Sequence, residues 1–372
     1  MSTVKANNYY DTSGGSNAQL YGVASPPNSM GFRNRIINGD MRIDQRNAGA
    51  GVTANDGIYT LDRWYYNAWQ NGKGTIQRST TAPTGFSNSL LFTSSSAYSV
   101  GAGETFDIQQ RIEGLNVADL AWGSASAASV TLSFWVRSSL TGTFGGALQN
   151  SAQNRSYVFS YTINAANTWE QKSITIAGDT SGTWLTTNGI GILLTINLGA
   201  GANYQNSAGS WVAGAKYTVT GQTSIVGTNG ATFYLTGVQL EAGTVASPFE
   251  RVEYGAMLRA CQRYYYRQSA STAFAFFHAG FNNSTTRQFG IFNFPQMMRA
   301  TPTLETTGTA SNYQILYSGS NAACTGITLD GQTTNFSAFV IADVASGLTA
   351  GQGSILRANN TTSAYLGYSA EL

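Results

Sequence analysis

The sequence predicts an all-β protein with an N-terminal extended arm, a jelly-roll β-sandwich, a short connecting helix and a C-terminal β-sandwich domain. Charged residues make up only 10% of the 372 residues, whereas hydrophobic residues reach an ordinary 42%. Glycine, serine, threonine and asparagine take the place of charged residues, and this composition suits short strands and tight turns. Apolar and polar residues also alternate at period two in many short stretches, as they do in half-buried strands.

Residues 1–32 are predicted to form the extended arm. The segment is polar and lightly charged, so it cannot bury enough apolar surface to fold by itself. Tyr9 and Tyr10 are its best candidates for anchoring the arm to a partner, because each joins a large apolar ring to a polar tip.

Residues 33–250 are predicted to form the jelly roll. Alternation is clearest in three stretches, which are residues 130–137, 157–161 and 173–176. Turn signals separate the stretches, including Asn55-Asp-Gly57, Asn71-Gly72 and Asn229-Gly230. Many short strands joined by glycine-rich turns are typical of a sandwich or jelly roll.

Residues 251–267 are predicted to form the connecting helix, and residues 268–372 return to β-structure. Five apolar residues at helical spacing would share one buried face: Tyr254, Met257, Leu258, Cys261 and Tyr265. Strands are then expected in residues 273–278, 287–294, 313–317 and 337–342, which are rich in aromatic and branched side chains.

Composition and charge weigh against several functions. Twenty basic and eighteen acidic residues nearly cancel, and no nucleic-acid-reading motif is present, so we expect no nucleic-acid partner. The longest apolar runs are far too short to span a bilayer, so we expect no membrane insertion. Without an N-terminal apolar run, we expect synthesis and assembly in a cytoplasm.

The sequence has few residues that could form a catalytic site, and we predict that the protein is not an enzyme. His278 is the only histidine, so one subunit cannot build a Ser-His-Asp triad or a multi-histidine metal site. A glycosidase needs two carboxylates across a cleft. Four acidic residues lie close in sequence and could supply that pair or serve as loop and capping residues: Glu104, Asp107, Glu113 and Asp119.

Aromatic residues in loops are the candidates for glycan binding, because a sugar ring has an apolar face and a polar rim. Trp184, Tyr204 and Trp211 lie in or beside Gly/Asn/Ser-rich loops, where each would form a platform or cover the core. Arg287 is a further candidate, since no acidic residue occurs between Glu253 and Glu305. An arginine beside aromatic rings can hold an anionic sugar.

Several motifs together resemble those of a known family. They are residues 34–46, 59–64, 130–139, 168–184 and 233–250, followed by residues 261–267. In order and spacing they resemble the tail-fibre and other appendage proteins of tailed bacteriophages. In that family a jelly roll similar to carbohydrate-binding modules is joined to a distal β-domain, and the likeness covers roughly residues 33–268.

The resemblance implies a homotrimeric virion component that recognises a host cell-surface glycan. Its arm would attach to phage tail or other virion proteins, and its C-terminal domain would form the distal tip. Three alternatives remain open, namely a head-decorating or collar fibre without a receptor role, a glycan-degrading tailspike, and a host-encoded carbohydrate-binding protein.

A structural calcium ion is the one metal that the resemblance raises. Asp40 and Asp44 would supply ligands from the first strand, but the last strand carries Thr236 and Gly237 where such modules usually have an acidic pair. Those two residues are poor ligands for a hard cation. We therefore predict no metal and no cofactor, with calcium as the open alternative.

Overall fold

The computed structural model describes residues 19–20, 23–24 and 32–372. Tyr9, Tyr10 and most of the predicted arm lie outside the described residues. The chain divides into two compact units. Of the described residues, the first contains those up to Arg42, Gly51–Ile58 and Trp64–Arg251, and the second contains Ile43–Ala50, Tyr59–Arg63 and Val252–Leu372. No pattern in the sequence predicted that two short early segments would belong to the second unit.

The strands up to residue 242 are mostly antiparallel. In chain order they are β1 (Gln19–Leu20), β2 (Val23–Ala24), β3 (Val52–Thr53), β4 (Ile58–Tyr59), β5 (Trp64–Ala68), β6 (Gly74–Ser79), β7 (Ser89–Ser94), β8 (Thr105–Glu113), β9 (Val130–Ser138), β10 (Gly142–Gln149), β11 (Arg155–Ile163), β12 (Glu170–Ile176), β13 (Ile190–Ala200), β14 (Gln205–Asn206), β15 (Trp211–Ala213), β16 (Thr218–Val219) and β17 (Thr232–Ala242). Short 3₁₀ turns occupy Gly114–Asn116, Ala118–Leu120 and Ala202–Tyr204.

Two sheets form the sandwich of the first unit. The seven-stranded sheet has the order β15-β11-β10-β13-β8-β5-β4, and the six-stranded sheet has the order β12-β9-β17-β7-β6-β3. Aromatic pairs join their inner faces, with Tyr66 stacked on Phe92 at 5.8 Å and Phe134 meeting Tyr161 edge to face at 5.0 Å. The predicted all-β fold class is confirmed.

Residues 34–46, which resemble the first strand of the family's jelly roll, instead form an irregular segment of turns. The side chain of Asn34 makes hydrogen bonds to β17 that the backbone of a neighbouring strand would otherwise make. Its amide Nδ2 donates to the carbonyl of Val238, and its Oδ1 accepts from the Leu240 amide. Asn38 and Met41 then adopt positive φ values of 59° and 60°, which an extended strand cannot contain.

The second unit contains one helix and nine further strands among its described residues. They are α1 (Tyr254–Gln262), β18 (Tyr265–Ser269), β19 (Phe276–Asn282), β20 (Arg287–Asn293), β21 (Thr303–Glu305), β22 (Tyr313–Tyr317), β23 (Ser320–Leu329), β24 (Ser337–Val344), β25 (Gly353–Ala358) and β26 (Tyr365–Ser369), with a 3₁₀ turn at Ala310–Asn312. Six of them close a barrel in the order β19-β20-β24-β23-β22-β25, and β18, β26 and β21 form a small sheet. The sequence predicted a β-sandwich for this domain. The six strands close into a barrel instead, because β25 pairs with both β19 and β22.

Helix α1 is shorter than the predicted segment 251–267. It begins after Glu253, whose carboxylate accepts the amides of Gly255 and Ala256, a typical N-terminal cap. It ends at Gln262, and Tyr265 instead begins β18 opposite Ser369. The predicted apolar stripe is therefore interrupted: Met257 and Cys261 are buried, whereas Tyr254 is 53% exposed.

A buried cluster of charges and rings ties the two early segments into the second unit. The Glu371 carboxylate accepts from Arg63 and forms an ion pair with Arg46 at 3.3 Å. The Arg63 guanidinium lies 3.6 Å from the ring centroid of Tyr264, and that of Arg46 lies 3.4 Å from Tyr265. Because Glu371 and the tyrosine rings contact both guanidinium groups, they offset part of the desolvation free energy of burying these two charges.

Candidate glycan-binding site

A cleft of about 500 Å³ opens in the first unit where β5 ends. Its lining combines aromatic rings with short polar side chains: Asp56, Asn67, Ala68, Trp69, Gln153, Tyr204, Ala215 and Tyr217. Among these residues Asp56 carries the one charge. Aromatic surfaces beside a few convergent polar groups are what a sugar site requires.

Three rings form the aromatic part of the cleft. Trp69 directly follows β5 and is 57% exposed, and its ring centroid lies 6.2 Å from that of Tyr204. Tyr204 in turn meets Tyr217 edge to face at 5.1 Å. The Tyr217 hydroxyl donates to Gln153 Oε1 at 2.7 Å, so this wall is held in place by a hydrogen bond. Trp69 therefore offers an open platform beside a fixed aromatic wall.

The polar part of the cleft presents hydrogen-bond acceptors. Asn67 Nδ2 donates to the Asp107 carboxylate at 2.6 Å, which leaves the Asn67 carbonyl oxygen as the acceptor available to a ligand. Asp56 accepts the Ala68 amide through one oxygen at 2.9 Å and keeps its second oxygen as another acceptor. Sugar hydroxyls are donors that match both groups.

Asp107 is fully buried beneath this acceptor pair. Burial raises the pKa of Asp107 to about 6, while hydrogen bonds from Asn67, Thr105 and Asn197 oppose the shift. Those donors approach within 2.6–2.9 Å. Its carboxylate therefore orients the amides of neighbouring strands and does not itself line the cleft.

Of the predicted glycan-binding residues, only Tyr204 lines this cleft. Trp184 and Trp211 pack edge to face with each other at 5.3 Å, and both contact Trp122. Their indole N–H groups donate to the carbonyls of Ser181 and Ala177. The rings are half-buried in a cluster of their own, and their role in glycan binding stays a prediction.

Trp69 was missed by sequence reasoning. Trp69 lies just before the Asn71-Gly72 turn. The predicted aromatic candidates were chosen because they lie beside polar loops, and Trp69 meets the same criterion. The partners that make it a platform come from residues more than 130 positions later, so its setting could not be read locally.

Arg287 lies in the barrel of the second unit and already has a partner. Its guanidinium binds Asp343 through two hydrogen bonds of 2.7 and 3.1 Å, and the two residues are cross-strand neighbours on β20 and β24. The pair raises the pKa of Arg287. Residues 254–304 contain no acidic residue, but in the folded protein Asp343 lies beside Arg287. An anionic sugar would therefore compete with Asp343 for the guanidinium.

The two carboxylates considered for calcium accept hydrogen bonds from protein groups. The Asp40 carboxylate accepts from Arg42 at 2.5 Å, and Asp44 accepts the backbone amides of Asn47 and Gly49. Thr236 donates to a carbonyl, and Gly237 has a φ of 60° at a bulge in β17. No group of three or more potential metal ligands occurs in the described part of the chain.

The four clustered carboxylates do not converge on the cleft. Besides the buried Asp107, Glu104 accepts the Gly101 amide and the Tyr98 hydroxyl, and Asp119 pairs with Arg35 at 2.6 Å. Glu113 is buried at the end of β8. Nor does any helix among the described residues have the length and apolarity needed to cross a membrane.

Comparison with known proteins finds only weak likeness to solved structures. No family model matches this chain, and no curated protein matches it. Similar solved structures include the enzymatically active domain of bacteriophage CBA120 tailspike protein 4, with 12% identity and a TM-score of 0.32 over 56% of this chain. The match spans only 21% of that tailspike chain.

Two carbohydrate-binding modules are also similar. The module TmCBM61, solved in complex with β-1,4-galactotriose, has 10% identity and a TM-score of 0.29, over 57% of this chain and 99% of its own. The family 11 module from Clostridium thermocellum, solved with a mixed-linked tetrasaccharide, has 12% identity and a TM-score of 0.27, over 54% and 100%. At these values the likeness carries nothing about activity or partners.

Proposed function

We propose that this chain is a non-enzymatic appendage protein of a tailed-bacteriophage virion that binds a glycan of the host cell surface. The observation that carries the glycan-binding part is the cleft of the first unit, with Trp69 as a platform and Asn67 and Asp56 as acceptors. The appendage part rests on the sequence motifs that resemble the family.

Binding would combine stacking with hydrogen bonds. The apolar face of a sugar ring would lie on Trp69, against the edge of Tyr204, while its hydroxyls donate to the two acceptors. A single exposed site of this kind is weak, and several copies on one particle would strengthen attachment by roughly 10²–10⁴-fold through avidity.

The charge of the lining favours a neutral sugar. Asp56 is the charged residue among those that line the cleft, and the Asp107 carboxylate lies just below Asn67. A sialic or uronic acid would bring a third carboxylate to the same place, where like charges repel. Hexoses and N-acetylhexosamines avoid that repulsion.

The same geometry supports a binding role over a hydrolytic one. A glycosidase places two carboxylates on either side of the scissile bond. Here Asp56 lines the cleft, but the Asp107 oxygens are occupied by Asn67, Thr105 and Asn197. Release of oligosaccharide products from a host polysaccharide would overturn this part of the proposal.

Adsorption to host cells tests the cleft directly. Trp69→Ala should reduce binding of purified protein to cells about fivefold or more, since a stacked ring contributes on the order of 1–3 kcal/mol. Trp69 is exposed, so the variant should keep its fold. Trp169→Ala is the matched control, because Trp169 packs on Tyr234 of the other sheet. Equal adsorption by both variants would rule the cleft out.

Assembly as a homotrimer belongs to the same proposal. Exposed apolar side chains on the barrel support an association surface, including Phe281, Ile291, which is 61% exposed, and Phe336. Sedimentation of the purified protein should give three subunits, and Ile291→Ser should shift the equilibrium toward monomer. A monomeric parent protein would contradict this part of the proposal.

Attachment to the particle through the arm is the remaining part. Labelling the protein in intact virions would separate a tail fibre from a head-decorating or collar fibre. Deleting residues 1–30 should abolish incorporation, and normal incorporation of the truncated protein would place the attachment elsewhere.

A further inference from the structure

One face of the seven-stranded sheet carries a row of polar side chains. Asn67 on β5 pairs across to Asp107 on β8, and Asp107 pairs across to Asn197 on β13. On the next two strands, Gln149 of β10 lies opposite Ser156 of β11 on the same face, displaced by four residues along the ladder because Gln149 pairs with Leu193 of β13. Together these side chains form a polar row that runs obliquely across five strands and would offer a surface to an extended polysaccharide.

Part of that row is covered by residues 214–222, which we call the strap. The Ser156 hydroxyl donates to the carbonyl of Gly214 at 2.7 Å and accepts the Lys216 amide at 3.1 Å. Gln149 donates to the Lys216 carbonyl at 3.2 Å, and the strap residue Gln222 donates to Asn197. The strap is therefore bonded to β11, β10 and β13 in turn.

Close approach of the strap is built into the sequence. A Cβ atom on Gly145 of β10 would lie 2.5 Å from Thr218 Oγ1 and 2.9 Å from the Val219 amide, distances at which real Cβ atoms are not found. Within the strap, β16 also contacts β10, β11 and β13. A glycine at this position lets the strap lie directly on the sheet.

The burial of the polar side chains shows which part of the row the strap covers. Gln149, Ser156 and Asn197 are fully buried, whereas Asn67 on β5 stays half-exposed. The cleft begins at that uncovered end, and the strap residues Ala215 and Tyr217 form part of its wall. A glycan that entered at Trp69 and ran across the strands would meet the strap after Asn67.

We infer that the cleft recognises the end of a neutral glycan, one or two sugar units long, and not an internal stretch of polysaccharide. The inference rests on the proposed glycan-binding function. An internal stretch needs a groove open at both ends, and the strap closes one of them. About 500 Å³ is room for a short terminal unit.

The test is the dependence of affinity on chain length and on a free end. The probes are neutral oligosaccharides of one to six sugar units, printed on an array through their reducing ends, together with the same oligosaccharides methylated on the terminal sugar. Full-length protein should bind those with a free end, and affinity should stop rising beyond two units. Terminal methylation should lower affinity at least about tenfold.

Trp69→Ala and Trp169→Ala separate failure of this inference from failure of the proposed function. If binding depends on Trp69 but rises steadily to six units, or ignores terminal methylation, the function stands and end recognition is wrong. If no oligosaccharide binds, or if the bound ones ignore Trp69, the proposed site is wrong and this inference falls with it.

Discussion

His278 makes the stability of the second unit depend on pH between neutrality and pH 5. The imidazole is only 7% exposed on β19, and a Cβ on Gly290 would lie 2.0 Å from its Cδ2 atom. Among the described residues neither ring nitrogen has a hydrogen-bond partner. Burial therefore disfavours the protonated form and lowers the pKa of His278 to about 4.

The sign and size follow from proton linkage. The unfolded chain binds a proton near the ordinary value of about 6.5, whereas the folded unit resists it until about pH 4. Above pH 6.5 the unit keeps its full stability, and as pH falls it loses free energy of unfolding until the folded pKa is reached. The total is about 3 kcal/mol, of which roughly 2 kcal/mol is lost between pH 7 and pH 5.

Two probes make the assay specific. All seven tryptophans lie within Trp64–Arg251 of the first unit, so their fluorescence follows that unit. The backbone amide NMR signals of the barrel strands follow the second unit in both the parent and the variant, and the imidazole of the single histidine reports its own titration in the parent. Urea unfolding at pH 7 and pH 5 would be compared between the parent protein and His278→Leu, and the variant should lose roughly 2 kcal/mol less between the two pH values.

Two results would refute this reasoning. One is an NMR titration of the folded protein with a pKa of 6 or above, which would mean that the imidazole is solvated or paired. The other is an equal loss of stability in the parent and the variant, which would assign the pH dependence to carboxylates.

Further predictions concern the buried ion pairs, the strap and the barrel surface. Glu371→Gln should cost about 3–5 kcal/mol in urea unfolding of the second unit, because it removes the carboxylate that pairs with both Arg46 and Arg63 in a largely buried cluster; a cost below about 1 kcal/mol would contradict the burial argument. Gly145→Ala should destabilise the first unit by about 1–3 kcal/mol through its clash with Thr218, measured by tryptophan fluorescence against Gly103→Ala, where the nearest atom is 3.8 Å away. Arg287→Ala should leave host adsorption unchanged because Asp343 already binds the guanidinium; a salt-dependent loss of adsorption would place recognition on the barrel.

Local patterns predicted the features that depend on neighbouring residues. Alternation marked β9 at Val130–Ser138, and the run Tyr313–Tyr317 is a strand over its whole length. Helix α1 was expected from its periodicity, and its first turn has a cap within the same segment. In each case side chains two to four residues apart decide the conformation, so the sequence contains the needed information.

Features that depend on distant partners came only with the tertiary structure. Helix α1 ends early because Tyr265 pairs with Ser369, about a hundred residues later. Arg287 is neutralised across the ladder by Asp343, and Arg63 by Glu371. A one-dimensional pattern shows neither the register nor the partner of such contacts.

The candidate site shows the same division. The sequence alone determined that the protein is all-β, that aromatic residues sit in polar loops, and that Tyr204 is one of them. Only the fold brought Tyr204 to Trp69 and laid the strap on the polar sheet face. Strand order and loop path decide which side chains share a cleft, and both arise from packing between segments that are far apart in the chain.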